Sequence, residues 1–414
     1  VRDRPTQRAV ECPAVKTRRR KLWPFVLGGV VLLAIAAVAS AFAFRMRVAQ
    51  AASGFLEDTM EMVLELRTRP AHASSQTVGS FGKCAEPRLD SYIDLNLNDE
   101  PEACKAFRAP NAPRGRIPDE CLAIVTPHNA LAWARGLMAC SRSDSAGLPE
   151  NIFTAGHQRQ QVQFAPWTQA AKILGWEVRA QTATGQFGLA FETCADVIAS
   201  CRDLSWGGAL AGTMAAVTNL RIIYPACVEA VVQADAAQRK KFHGSLEAIW
   251  TSMRTNSAML RDEAVIAGIE VYGFELEPRQ QATLPKELRD RIGPAPAMFP
   301  KPQLLGWQLM SLRAMNADLR KVADLPDDER APLIAKLAAK HSGVGSVASL
   351  EKFLRRADEL PALVELLAAA SSVDARSPAS SASFTVTSGA GAFEFKPVNP
   401  ELAKYAIKIS LAKK

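Results

Sequence analysis

Histidine is nearly missing from this chain, with five in 414 residues. His72, His128, His157, His243 and His341 stand far apart, so no HExxH helix and no imidazole pair at metal-ligand spacing exists. His128 and His157 flank helix starts, where a neutral imidazole making one backbone bond is the ordinary reading. GxSxG is also lacking, and the Gly207-Gly208 pair has no strand before it and no GK[ST] after it. The closely spaced acids of an EF-hand loop are missing, and no two cysteines have the CxxC spacing of a zinc or redox motif. Nine asparagines follow residue 44 and none lies in N-x-[ST], which disfavours a eukaryotic secretory protein. Aromatics are thin, at 7%. No reaction can be read from such a chain, and no cofactor or metal is expected of it.

What is present begins with charge. The formal net charge is +8, but residues 1–21 carry eight cations against Asp3 and Glu11, which is +6. The other 393 residues carry +2, so the bulk of the protein has no general field for a polyanion and nucleic acid is not an expected partner. Basicity confined to a short tail before an apolar segment is a topology signal.

That segment, Leu22 to Phe44, holds 23 residues without a charge. As a helix rising about 1.5 Å per residue it would cross a hydrocarbon core of about 30 Å. Lys16, Arg18, Arg19, Arg20 and Lys21 outweigh Arg45 and Arg47, so the tail is predicted to stay in the cytoplasm with the remainder exported. Two other readings share these residues. The small-residue triplets 39–41 and 41–43 could serve a signal peptidase, and Arg19-Arg20 resembles a twin-arginine export signal; the run exceeds the ~7–15 residues of a signal peptide, which favours an anchor. Gly28, Leu32, Ala36 and Ser40 share one helical stripe and offer a face for a homo-oligomer.

Seven of the eight cysteines follow the anchor, all before residue 230. In an oxidising compartment they read as disulfides stapling the first half of the exported domain. Cys194 and Cys201, seven apart on one helix, lie about 10 Å apart and cannot bridge. If helices over 186–203, 206–223 and 226–255 run up, down and up, Cys227 faces Cys194. Cys84 with Cys104 and Cys121 with Cys140 are the local pairs expected, leaving Cys201 free.

The fold class is mainly α: a single N-terminal transmembrane helix, an exported multi-helix domain with a disulfide-stapled loop region, and a short C-terminal β-hairpin or meander. The organisation reads as a basic tail (1–21), an anchor in the bilayer (22–44), a juxtamembrane helix (45–69), a Cys-containing helical domain (70–275), a Pro-rich linker (276–303), C-terminal helices (304–370), and a flexible Ser/Ala segment with terminal strands (371–414). Phe55, Met62, Val63 and Leu66 share a side of the juxtamembrane helix. Residues 70–120 lack periodicity and read as cross-linked loop. Thr126 is expected to cap a helix beginning at Pro127, a second helix spans 157–174, and Pro225 and Pro361 are expected to start and to break helices. Gly208, Gly212 and Ala216 form a ridge of small side chains for close packing. Ser383–Thr387 and two runs around Phe393 and Ile407 alternate as strands do.

Three functional classes remain: an interaction or structural protein of the bacterial envelope, an envelope hydrolase acting on cell-wall or lipid material, and a helical small-ligand or lipid-binding module. Glu192, in an apolar turn, is the single carboxylate singled out as a general acid, against the commoner salt-bridged reading. Asp90, Asp94, Asp99, Glu100 and Glu102 form the one acidic concentration; solvated loop carboxylates are its ordinary meaning, calcium chelation the rarer one. The tryptophans at 167, 176, 206, 250 and 307 read as core fillers.

Overall fold

The computed structural model describes residues 23–68, 77–95, 97, 100–109, 115–145, 157–206, 209–272, 302–341, 347–373, 380–389 and 391–410. The basic tail with Cys12, His72, Asp99, Gly207-Gly208 and residues 276–301 of the Pro-rich linker lie outside them. The chain divides into two compact units, Val1–Ala52 and Ser53–Lys414.

Helix α1, Trp23–Thr68, contributes to both units. In the first unit its span Gly28–Arg47 is apolar and long enough to cross a membrane, and none of it is buried. Leu210–Gln233 is also long and apolar, but 61% of that span is buried, which marks a core helix.

The second unit is mainly helical. Residues 70–120, expected as loop, contain real helices: after β1 (Thr77–Ser80) come α2 (Phe81–Asp90), α3 (Glu102–Arg108) and α4 (Asp119–Val125). They were illegible because each is too short to show a period. Thr126 does not cap a helix at Pro127. Residues 126–129 form a turn, Asn129 adopts φ +50°, and α5 runs Ala130–Met138. A 3-10 turn, Ala139–Arg142, then leads to β2 (Ser143–Ser145), which pairs in parallel with β1.

That pairing corrects the expected cysteine partners. β1 runs directly into the helix bearing Cys84 and β2 directly follows the turn bearing Cys140, so the two thiols meet with Cα atoms 5.5 Å apart. Cys104 and Cys121, on α3 and α4, form the inner pair, with Cα atoms 5.7 Å apart. The arrangement is nested, where nearest-neighbour reasoning had made it sequential.

The core is built on α6 (His157–Ala183), α7 (Phe187–Ser205) and α8 (Ala209–Gln233). α6 ends where Gly185 takes φ +74° and the Gln186 N–H donates back to the Gln181 carbonyl at 2.8 Å. Pro225 does not start a helix: α8 passes through it, because Tyr224, Ala226 and Cys227 are all buried and their packing outweighs one lost backbone bond. The actual stop is at Asp235, whose side chain accepts from the Gln238 N–H at 2.8 Å in a capping box that opens α9 (Ala236–Trp250). Cys227, inside one unbroken helix, reaches Cys194 with Cα atoms 5.9 Å apart, and Cys201 is free and buried. Gly212 is required: a Cβ there would lie 2.2 Å from the Leu204 carbonyl oxygen of α7.

Helix α10 (Asn256–Tyr272), α11 (Pro302–Ala323), α12 (Asp327–Lys340) and α13 (Val347–Ala357) surround a second, smaller apolar cluster that includes Met259, Leu319, Ile334 and Leu354. The break assigned to Pro361 falls at Asp358, and Pro361 sits in the first turn of α14 (Glu359–Ser371), where its missing N–H has no helical partner to lose. The C-terminal strands β3 (Phe384–Gly389), β4 (Ala392–Pro397) and β5 (Ile407–Ser410) form an antiparallel meander, the first covering most of the Ser383–Thr387 run read as a strand. Phe395, Ile407 and Ile409 bury one face of it, and Tyr405 meets Tyr224 of α8 edge-on, with ring centroids 5.3 Å apart. Trp167 and Trp176 are core fillers, whereas Trp250 is exposed.

Candidate functional site

Residues 91–95 cross α6 as an extended strap. Gln169 pins it: its Nε2 donates to the Ile93 carbonyl at 2.9 Å, and its Oε1 accepts from the Leu95 N–H at 3.0 Å. Lys172, one helical turn on, donates to the Leu97 carbonyl at 2.9 Å. Burying an amide is tolerable when both its ends are used in this way. Alternate residues of an extended segment face opposite sides. Ile93 and Leu95 therefore line one groove of about 520 Å³, while Tyr92 and Asp94 line another of about 400 Å³, to which Leu97, beyond the alternating segment, also contributes.

The larger groove is walled by Arg88, His128 and Trp133. Trp133 donates its Nε1–H to the Arg88 carbonyl at 2.8 Å, and its ring lies 5.8 Å from that of Tyr92. Arg88 lies over Gly136, where a Cβ would come within 2.9 Å of its Nε, and its Nη1 donates to the Cys84 carbonyl at 2.6 Å. The wall is thus fixed to the Cys84–Cys140 pair. Ile93 stands 49% exposed on the strap above it. Burial, with Asp94 beside it, pushes the Tyr92 hydroxyl up to about 12, so that group is an uncharged donor.

Glu192 is exposed and ion-paired. Arg142 donates from Nε to Asp196 at 2.7 Å and from Nη2 to both Asp196 and Glu192 at 2.6 Å. A guanidinium joins the two carboxylates, in a third groove of about 270 Å³ that Arg135 also lines, itself paired with Glu177. The acidic concentration is dispersed: Asp90 and Asp94 are exposed, Glu102 faces Lys105, and Glu100 is buried against Arg108. Burial pushes the Glu100 carboxyl up, against the pull of Arg108. Among the described residues no group of three His, Cys, Asp or Glu could hold a metal ion. His128 lines the first groove; His243 bonds the Ala368 carbonyl at 2.9 Å and His341 bonds Asp318 at 3.2 Å.

A feature that sequence reasoning missed lies on the C-terminal part of α1. Gly54, Asp58, Glu61 and Glu65 recur at helical spacing, and each meets an arginine: Arg313 lies against Gly54, Arg320 bonds Asp58 at 3.0 Å, and Arg261 reaches Glu61 at 2.8 Å. Arg261 also grips Glu65 through both oxygens, at 2.9 and 2.8 Å, beside Arg254. The Arg261 bonds hold the Glu65 carboxyl down to about 2. Asp262, fully buried next to Arg254 and Arg261, is pushed up by its burial. The 54-58-61-65 spacing was visible, but nothing local to it announced the arginines, which are roughly 190 to 260 residues away in the chain. Met62 is buried; the side chains of Phe55, Val63 and Leu66 lie outside the described ones.

The chain matches no protein-family model, no curated protein and no solved structure.

Proposed function

We propose that this chain is a single-pass protein of the bacterial inner membrane, with its tail in the cytoplasm and its helical unit in the periplasm, and that it holds an envelope protein partner on the groove beside the strap. The compartment rests on the apolar run behind a basic tail and on three cysteine pairs at disulfide distance, which persist in an oxidising space. The groove carries the reading. Trp133 and Arg88 are of the residue types that dominate binding energy at interfaces, Ile93 is an exposed apolar anchor, and the frame is pre-organised by Gln169 and the Cys84–Cys140 pair. Its mixed lining suits a protein segment with an apolar side chain and a backbone to hydrogen-bond.

The hydrolase reading finds less support. A general acid and its partner must face each other across a substrate, whereas Glu192 and Asp196 share one arginine.

Two measurements test the proposal. In intact cells, a thiol reagent that cannot cross the inner membrane should miss Cys12; labelling of Cys12 reverses the topology. A photoreactive amino acid at Ile93 should give one adduct of discrete mass that disappears with Trp133→Ala, while the same probe at exposed Phe353 gives none. Equal adducts at both positions would remove the groove from consideration.

A further inference from the structure

The three cysteine pairs differ in reach. Of the six paired cysteines among the described residues, Cys104, Cys121, Cys140, Cys194 and Cys227 are fully buried, and Cys84 alone is partly exposed. An arginine stands beside that sulfur. Arg88, one turn on along α2, places its Nη1 3.5 Å from the Cys84 Sγ, while the same nitrogen donates to the Cys84 carbonyl at 2.6 Å. The carbonyl bond and the close packing of Nε over Gly136 fix the guanidinium there. A thiolate is both the nucleophile and the leaving group of thiol–disulfide exchange, and a neighbouring guanidinium favours it. The second sulfur also has a partner at hand: the Cys140 Sγ lies 3.4 Å from the Gly136 carbonyl, an acceptor for a thiol proton once the bond is open. Arg88 at the same time walls the larger groove, so a segment held there lies against the guanidinium that serves Cys84.

We propose that Cys84–Cys140 is a thiol–disulfide exchange site for a protein dithiol, whose cysteine-bearing segment docks in the groove beside Arg88; the placement of that partner rests on the groove reading given above. A partner thiol, its proton released to water, attacks the Cys84 Sγ, the reachable sulfur. The Cys84–Cys140 bond breaks and its electron pair leaves on Cys140, which takes a proton from water and hydrogen-bonds the Gly136 carbonyl. The second partner thiol, its proton also lost to water, attacks the partner's own sulfur in the mixed disulfide, and Cys84 leaves as a thiolate beside Arg88. Two electrons have then passed from the partner dithiol, now a disulfide, to the Cys84–Cys140 pair. The other two pairs, sealed in the core, take no part.

Three measurements on the full chain test this. Brief treatment with dithiothreitol in nanodiscs, followed by alkylation and peptide mass mapping, should open Cys84–Cys140 about tenfold faster than either buried pair. In the Cys140→Ser chain, alkylation of Cys84 should set in at lower pH than that of an ordinary cysteine. Arg88→Met should move that onset up by about one pH unit, and Arg88→Lys should keep it low. Protection of Cys194–Cys227 from alkylation reports that each variant is folded. In cells, the Cys140→Ser chain should hold a mixed disulfide at Cys84 with a partner of the same mass as the Ile93 photoadduct, and Trp133→Ala should remove both. Three pairs that open together, or an onset indifferent to Arg88→Met, overturn the exchange site. An Ile93 adduct without a Cys84 adduct overturns it too and leaves the protein-binding groove standing. A Cys84 adduct that ignores Trp133→Ala overturns docking in the groove and with it the proposal, whereas loss of the Ile93 adduct itself is failure of the groove reading and takes the proposal with it.

Discussion

The two apolar clusters of the second unit differ in their cross-links: buried arginines occur in both, Arg202 in the larger one among them, but the cysteine pairs lie in the larger alone. Around the larger one lie all three cysteine pairs; around the smaller one, formed by α10 to α13, there is no cysteine, and buried arginines link the elements. Arg330, 1% exposed, donates to the Ala323 carbonyl at the end of α11 and pairs with Asp327 of α12 and with Asp358 between α13 and α14. Arg261, equally buried, ties α10 to the C-terminal part of α1. Each guanidinium, with its rigid fork of donors, specifies the angle at which two or three elements of the smaller cluster meet. A covalent link acts mainly by restricting the unfolded chain, while a buried ion pair acts on the folded state and costs desolvation. The two regions should therefore yield to different insults.

The largest effect is expected from Arg261→Met, which leaves Asp262 buried with only Arg254 for compensation. Urea unfolding of the detergent-solubilised full chain should show a loss of about 3–5 kcal/mol. Adding Asp262→Leu should recover much of it, since replacing both partners removes the stranded charge. A neutral single variant would mean the arginines are incidental to the smaller cluster. Next comes Cys194→Ala with Cys227→Ala, which opens a loop of 33 residues and should cost about 2–4 kcal/mol. A reductant should abolish the difference from the native chain, and it should leave the Arg261→Met deficit unchanged; a shared response would erase the contrast between regions.

Smaller again is Glu65→Gln, about 1–2 kcal/mol at neutral pH, because the carboxylate is a third exposed and Arg261 keeps Glu61 and Asp262. The pH course sharpens it. Glu65 is held near 2 against an ordinary 4.5, so its contribution is complete above about 4.5 and fades as pH falls through that window towards 2. The gap between native chain and variant should close over the same range. A gap that stays constant down to pH 2 would show that the glutamate acts by shape and not by charge.

How much of this was legible depended on whether the signal was local. The helices from 186 to 203 and from 304 to 322 could be read because their apolar periods are long, and the C-terminal strands because Phe393, Phe395, Ile407 and Ile409 alternate. Cys84 could not be matched to Cys140, since their meeting depends on two strands of three and four residues that carry no pattern. Pro225 misled because a proline weighs heavily in sequence and little in a helix buried on both sides of it. For the candidate site, Glu192 could be placed on a helix but its ion pair with Arg142 could not, being 50 residues away. The strap and its grooves were hidden altogether, because Gln169 is an unremarkable residue until Ile93 and Leu95 are laid across it.

The smallest effect belongs to a joint that uses neither chemistry. Asp235 caps α9 with its own carboxylate and receives the Gln238 side chain in return, and no cysteine or arginine takes part in that box. Asp235→Ala should cost about 1 kcal/mol, the ordinary worth of an N-cap. Because the box satisfies backbone N–H groups, its loss should be the same with or without reductant. It should also be constant across neutral pH, while the Cys194–Cys227 deficit responds to reductant and the Glu65 deficit to acid. Measured beside them in the same urea series, it separates a general fragility of the fold from the two specific modes of cross-linking: if Asp235→Ala also shifts with reductant, the larger region is failing as one cooperative body and its cysteine pairs cannot be credited individually.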